Sequence, residues 1–378
     1  MRNVAVCGSK VKSLVPYNDS IETIEIEGIP VTCGIIPSKE TDPDFDKKAP
    51  QNRFNVLVKI RSFSCNYRDK ALVFAALNKG GERSFYVVGS EFVSEVVDVG
   101  SEVTGFEIGD KVIGNNHYTG AGPSVNGVFE GLPTNHASKE YQVFHQAKLI
   151  KVPRKMPDEV AAAFSIGAQT AYSMIRKLNV TEGSNVLITA AKSNTSLFAI
   201  NALKKHNVNI YATTTSMRFE KELKEMGVKE LFQIDPTLES FTVHKRINKI
   251  AMEIGQFDCV FDPFFDLHLG KVIDVMAPGG RYVTCGLCNQ YQSLIGQEFH
   301  YRGRDLQGVL ALVISRNLQI IGNCIGLTED LNNALKDYSS GRLDVVIDSV
   351  FSGNQVGAFF DRTYNVRERF GKVVYKYE

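Results

Sequence analysis

The sequence has no run approaching the ~20 consecutive apolar residues that a membrane-spanning helix needs, and its first twenty residues, MRNVAVCGSKVKSLVPYNDS, lack the apolar core of a secretory signal. An excess of charge is missing too. Lys and Arg total 43 against 42 Asp and Glu, a formal net charge of +1, so the charge balance does not select nucleic acid as a partner. Seven cysteines, at 7, 33, 65, 259, 285, 288 and 324, form an odd and scattered set in a chain of 378 residues that is too long to need disulfide staples. Reduced thiols and a cytoplasmic location are the expectation. Internal repeats and low-complexity tracts are absent, and 43% hydrophobic with 22% charged residues describes an ordinary globular chain with room for two domains.

One further absence is local. Residues 186–205, VLITAAKSNTSLFAINALKK, have the outline of a dinucleotide-binding turn: an apolar strand, a loop of small residues, then a helix with Leu197, Ile200 and Leu203 on one face. Such a turn normally uses glycine so that backbone can approach a pyrophosphate, yet Lys192, Ser193, Asn194, Thr195 and Ser196 stand there instead. A helix N-terminus still presents free N–H groups, and hydroxyls and a lysine add donors for phosphate. The plainer reading is a strand-to-helix turn capped by Thr195 or Ser196.

Around that segment the texture changes twice. Residues 55–114 read as strands broken by turn signals at Gly100 and Gly109-Asp110, and the loop from Asn115 to Pro133 is rich in Gly, Asn and Pro. From Pro157 onward helices and strands alternate: VLITAA, FAINALKKH, NIYATTT, FEKELKEMG, ELFQID, HKRINKIAMEIG, FDCVFDP, GKVIDVMAPGG, RYVTCG. That alternation predicts a doubly wound parallel sheet. Beyond residue 320 a helix, LTEDLNNALKDYSSG, precedes the short strands DVVIDSVF and GKVVYKY, which return the chain to the first domain.

The segment Gly89 to Gly114, GSEFVSEVVDVGSEVTGFEIGDKVIG, resembles the signature of the medium-chain dehydrogenase/reductase superfamily. SFSCNYRDKAL is similar to the N-F-R-D segment of its zinc-free enoyl- and quinone-reductase branch, and GRLDVVIDSVF with RFGKVVYKY resembles its C-terminal end. The resemblance covers nearly the whole chain. It implies an α/β fold with a GroES-like β-rich catalytic domain (residues 1–160 and 321–378) split around a central Rossmann domain (residues 161–320). The departure is the AAKSNT loop, where that branch has A-A-A-G-G-V-G.

The same resemblance aligns Asn66, Ser90 and Ile166 or Ser165 with the Cys, His and Cys that bind catalytic zinc in related alcohol dehydrogenases, and none of these is a zinc ligand set. No metal is expected. Cys285 and Cys288 make a single C-x-x-C with no second pair, which reads as two small semi-buried thiols. For the nucleotide, the end of the second Rossmann strand, NIYATTTSMRFEKEL, has no carboxylate before Glu220, whereas an acidic residue there would select NAD. Thr214, Thr215, Ser216 and Arg218 favour NADPH through its 2′-phosphate, with Thr170 added to the nucleotide contacts.

Without a zinc ligand set, negative charge developing during reduction must be held by hydrogen bonds. Reduction of a carbon–carbon double bond conjugated to a carbonyl fits that constraint better than alcohol oxidation. The resemblance makes Asn66 an orienting amide and places Tyr67 beside the lost ligand as a proton donor. Related enoyl reductases carry their tyrosine further downstream, where Tyr86 is the nearest here, and His136 borders the loop. The acid therefore stays open among Tyr67, Tyr86 and His136. The GLPTNHASKEYQ segment and the altered loop also resemble enzymes that reduce dehydroalanine to D-alanine in lanthipeptides, so the substrate is an unsaturated small molecule or peptide. A quinone or carbonyl reductase and a non-catalytic member of the fold are the alternatives, and relatives imply a homodimer.

Overall fold

The computed structural model describes all residues except 1, 16–19, 38–42, 121, 123–126 and 299–300. The chain divides into two compact units, Met1–Ile166 with Ile347–Glu378, and Gly167–Val346. The return to the first unit thus comes at Ile347 rather than at residue 321. The Thr328–Ser339 helix explains the difference, because its Asp330 is clamped by Arg176 at 2.9 Å and by the Leu327 backbone N–H at 2.8 Å, all within the second unit.

The strands of the first unit are β1 (Arg2–Cys7), β2 (Glu22–Ile26), β3 (Ile29–Pro37), β4 (Asn55–Ser64), β5 (Phe85–Val87), β6 (Glu91–Val99), β7 (Lys111–Gly114), β8 (Tyr141–His145) and β9 (Leu149–Lys151). Those of the second unit are β10 (Asn185–Ile188), β11 (Asn209–Thr214), β12 (Val228–Gln233), β13 (Phe257–Asp262), β14 (Met276–Thr284) and β15 (Gln319–Gly322), and the chain ends in β16 (Ile347–Ser352) and β17 (Lys372–Lys376).

In the first unit β2-β3-β1-β5 form one sheet, and β16-β17-β4-β6-β7-β9, with β8 also on β4, form another. The long strand β4 is buried nearly throughout, and Phe63 near its end meets Phe359 and Tyr375 at 5.4 Å between ring centroids. Such ring pairs contribute about 0.5–1.5 kcal/mol each beyond their buried area, which ties the C-terminal strand to the centre of the unit.

In the second unit every neighbouring pair is parallel, in the order β12-β11-β10-β13-β14-β15. The order reverses between β10 and β13, so the crevice where such folds bind nucleotides lies at their carboxyl ends. Below it Leu187, Tyr211, Phe257, Val260 and Tyr282 are fully or almost fully buried in one apolar cluster.

A buried ion cluster fastens this unit near its rim. Asp337 accepts from Tyr172 Oη at 2.7 Å, Lys205 Nζ at 2.5 Å and Arg342 Nη2 at 2.9 Å. Burial pushes its carboxyl up, but these donors outweigh that and bring its pKa down to about 2. A depressed carboxylate stabilises the fold above its unfolded value, near 3.9, and loses that contribution as pH falls through the folded one. Asp337→Asn should therefore cost roughly 2 kcal/mol at neutral pH, with wild type and variant converging below about pH 2 in urea titrations.

Candidate functional site

Two sites emerge, one in each unit. In the first, β4 ends at Ser64 and the Tyr67–Lys79 helix begins immediately after Asn66, whose backbone N–H donates to the Asp69 carboxylate at 2.7 Å. That reciprocal start fixes Asn66 at the strand-to-helix corner. Its Nδ2 donates to Ser90 Oγ at 3.2 Å and to Glu91 Oε2 at 3.4 Å, and its Oδ1 accepts from Lys372 Nζ at 2.5 Å. Ser90 Oγ in turn donates to Asp69 Oδ2 at 2.7 Å. Glu91 accepts from Lys372 Nζ at 2.8 Å on one oxygen, and from the Ile166 backbone N–H at 2.7 Å and Ser165 Oγ at 3.4 Å on the other.

The three positions aligned with zinc ligands, 66, 90 and 166, are thus gathered around a buried Glu91–Lys372 pair. Their chemistry is a carboxamide, a hydroxyl and an aliphatic chain. Among the described residues no group of three or more His, Cys, Asp and Glu is arranged to hold a metal ion. Glu91 is 0% and Lys372 4% exposed, so each charge depends on the other. Burial pushes the Asp69 carboxyl up, opposed by Arg68 at 2.9 Å, the Asn66 N–H, Ser90 and Lys372. Burial likewise pushes the Cys65 thiol well up, which keeps it protonated and inert.

Of the acid candidates, Tyr67 directly follows Asn66 and opens the helix. Its half-buried ring has two cations over it, Lys70 Nζ at 5.4 Å and Arg369 Cζ at 5.5 Å from the centroid. Lys70 is itself held by Glu27 at 2.6 Å. Tyr86 on β5 packs instead over Gly80, at the opposite end of the Tyr67–Lys79 helix: a Cβ added there would come within 2.7 Å of its ring. His136 is exposed on a turn fixed through its backbone, which donates to Thr134 Oγ1 at 2.8 Å and accepts from Gln142 Nε2 at 2.9 Å.

In the second unit the β10 turn has its expected place, at the carboxyl end of the sheet before the Asn194–Leu203 helix. The cap is Ser193 rather than Thr195 or Ser196. Ser193 Oγ accepts from the Ser196 backbone N–H at 3.2 Å and donates to Ser196 Oγ at 2.9 Å, while Ser196 Oγ reaches back to the Thr189 carbonyl at 2.9 Å. Both serines thus shape the turn. Lys192, Asn194 and Thr195 remain half-buried at the helix start. Thr213 Oγ1, buried one residue before the end of β11, has no hydrogen-bond partner among the described residues. The helix N-terminus with Lys192 and Thr195 beside it fits the phosphates of a nucleotide in this crevice.

At the end of β11, Thr214 Oγ1 donates to the Ser216 carbonyl at 2.9 Å, and Ser216 Oγ accepts from the Arg218 backbone N–H at 3.3 Å. Thr215 and Arg218 are exposed, the guanidinium lying 5.4 Å from the Phe219 ring centroid. Thr170 is buried on the Ser165–Leu178 helix. Burial pushes the Cys285 thiol up to about 12, which disfavours its thiolate. Sequence reasoning missed Lys372 and the buried carboxylate Asp262. The available signal for Lys372 was a lysine opening an otherwise apolar strand, KVVYK, directly after a glycine.

The Alcohol dehydrogenase GroES-like domain family matches residues 52–154, and the Zinc-binding dehydrogenase family matches residues 195–321. The chain belongs to the medium-chain dehydrogenase/reductase family, whose members use a nicotinamide cofactor. It is 37% identical over 241 residues to an L-threonine 3-dehydrogenase of Shewanella frigidimarina, covering 59% of this chain and 67% of that one. With an acryloyl-coenzyme A reductase of Metallosphaera sedula it shares 27% identity over 306 residues, 77% of this chain and 83% of the other. The fold is that of a thermostable alcohol dehydrogenase from Pyrobaculum aerophilum, with a TM-score of 0.70, 23% identity and full coverage of both chains.

Proposed function

We propose that the protein is an NADPH-dependent ene-reductase acting, without zinc, on a carbon–carbon double bond conjugated to a carbonyl. The observation that carries this reading is the Asn66–Ser90–Glu91–Lys372 cluster: where relatives coordinate a metal, this chain has a hydrogen-bonded corner built on an ammonium. Similarity to acryloyl-coenzyme A reductases, whose name describes an alkene beside a thioester carbonyl, supports it. When bound, the nicotinamide supplies a hydride to the β-carbon.

Tyr67 then donates the proton to the α-carbon or holds the carbonyl oxygen, and Asn66 fixes the corner from which Tyr67 projects. Negative charge that grows on the phenol oxygen as its proton leaves is stabilised by the nearby Lys70 and Arg369. Lys192, Asn194 and Thr195 hold the phosphates, with Ser193 and Ser196 shaping the turn, and Thr214, Thr215, Ser216, Arg218 and Thr170 complete the nucleotide contacts. The substrate within this class is an unsaturated small molecule or a dehydroalanine-containing peptide, and the location the cytoplasm.

A second copy of the chain is the partner we assign to the Leu306–Ser315 helix, where Leu306, Leu310 and Ile314 form an exposed apolar stripe at 70%, 48% and 78% exposure. Ile320 on the edge strand β15 of the same unit is also exposed.

Arg218→Ala should weaken NADPH binding by about 1 to 3 kcal/mol through loss of a charge-assisted contact and leave NADH binding unchanged. Calorimetric titration of both nucleotides checks it. Equal losses would assign Arg218 to a part shared by both. Turnover of simple quinones or aldehydes with no alkene reduced would favour a quinone or carbonyl reductase, and failure to bind either nucleotide would favour a non-catalytic member of the fold.

A further inference from the structure

Ala190, in the β10 turn, has φ +46°, the left-handed region that glycine enters freely and an alanine resists because its Cβ crowds the backbone. Something must hold it there. Thr189, immediately before, is bound by all three of its polar groups: its N–H donates to the Phe261 carbonyl at 3.0 Å, its carbonyl accepts from Ser196 Oγ at 2.9 Å, and its Oγ1 donates to Asp262 Oδ1 at 2.5 Å. On the other side the Ala191 N–H donates to the Thr213 carbonyl at 2.9 Å, and the Ser193 N–H closes the turn on the Ala190 carbonyl at 2.9 Å.

Asp262 is the fixed point of this arrangement. At the end of β13 it is fully buried, and besides Thr189 its carboxylate accepts from His268 Nδ1 at 2.9 Å, the Phe264 backbone N–H at 2.9 Å and Tyr282 Oη on β14. Burial alone would push this carboxyl up, but His268 and the other donors hold it below the usual carboxylate range, so it stays an acceptor. A carboxylate anchored by two strands and a helix, with a hydroxyl of the turn on one oxygen, is a rigid hold on the residue preceding Ala190.

We propose that Asp262 is a positioning residue that does through Thr189 what a glycine does in a nucleotide-binding turn, holding Ala190 in left-handed backbone so that the turn is formed before the nucleotide arrives. The inference rests on the β10 turn being the nucleotide's phosphate site, and its test separates the two claims. Thr189→Val keeps the volume of Thr189 and leaves Asp262 its three other donors. In the nucleotide-free protein, amide hydrogen exchange at residues 190–193 should speed up by about tenfold or more, with exchange elsewhere in the sheet unchanged. The dissociation constant for NADPH, read by calorimetry, should rise by about tenfold.

Adding Ala190→Gly should bring both readouts back to within about threefold of wild type, because glycine needs no anchor for this conformation. Thr189→Ser, which keeps the hydroxyl that Asp262 Oδ1 accepts from, should leave exchange at residues 190–193 close to wild type. Unchanged exchange in Thr189→Val, or a loss that Ala190→Gly does not recover, overturns the anchor. A wild-type protein that binds neither NADPH nor NADH while Thr189→Val still loosens residues 190–193 overturns the cofactor reading and leaves the anchor standing.

Discussion

Lys372→Met should destabilise the first unit by about 3 to 5 kcal/mol, since it strips the one cation bonded to a carboxylate with no exposure to water. Glu91 would keep the Ile166 N–H and Ser165 but lose its ammonium, and Asn66 Oδ1 would lose its donor in the same step. The pairing makes a sharper statement possible. In the double variant Lys372→Met/Glu91→Gln no buried charge is left alone, and the cost should fall below about 2 kcal/mol, a coupling visible in a double-mutant cycle. Urea unfolding followed by a probe in the first unit measures both, because a chain of two units need not unfold in one step. Additive losses would mean that the two side chains do not act as a pair.

Tyr67→Phe should lower kcat by about 100-fold or more while NADPH affinity stays at its wild-type value, the pattern for a group that acts mainly in the transition state. The phenyl ring can keep its contacts with Lys70 and Arg369, so the variant removes the hydroxyl and keeps the ring. Steady-state kinetics with saturating nucleotide, paired with direct titration of NADPH, separates this from a folding defect. Full kcat in the variant would return the role to His136, whose exposed imidazole is the remaining donor, because Tyr86 lies at the wrong end of the helix.

The doubly wound sheet was legible because β10 to β14 are apolar runs separated by amphipathic helices, and periodicity reports burial directly. The N-terminal sheet was not. Its strand β5 has three residues, and β1 finds partners 25 to 82 positions downstream, a pairing that local pattern does not encode. Among site residues the same rule holds. Asn66, Tyr67 and the β10 turn stand inside recognisable segments, whereas Lys372 meets Asn66 across 306 positions and Asp262 meets Thr189 across 73. Capping by Ser193 instead of Thr195 or Ser196 shifts the helix start by two or three residues, the scale on which helix ends are least determined by sequence.

The reaction we propose is reduction of a conjugated alkene with a hydride from NADPH and a proton from Tyr67. Incubating the enzyme with NADPH deuterated at the transferable position of the nicotinamide, and with either an α,β-unsaturated thioester or a dehydroalanine peptide, tests it most directly. The account predicts a product heavier by one deuterium and one hydrogen, with the deuterium on the β-carbon and a solvent proton on the α-carbon. Deuterium appearing on a carbinol carbon with the alkene intact, or no transfer to any alkene while a quinone is reduced, would contradict it.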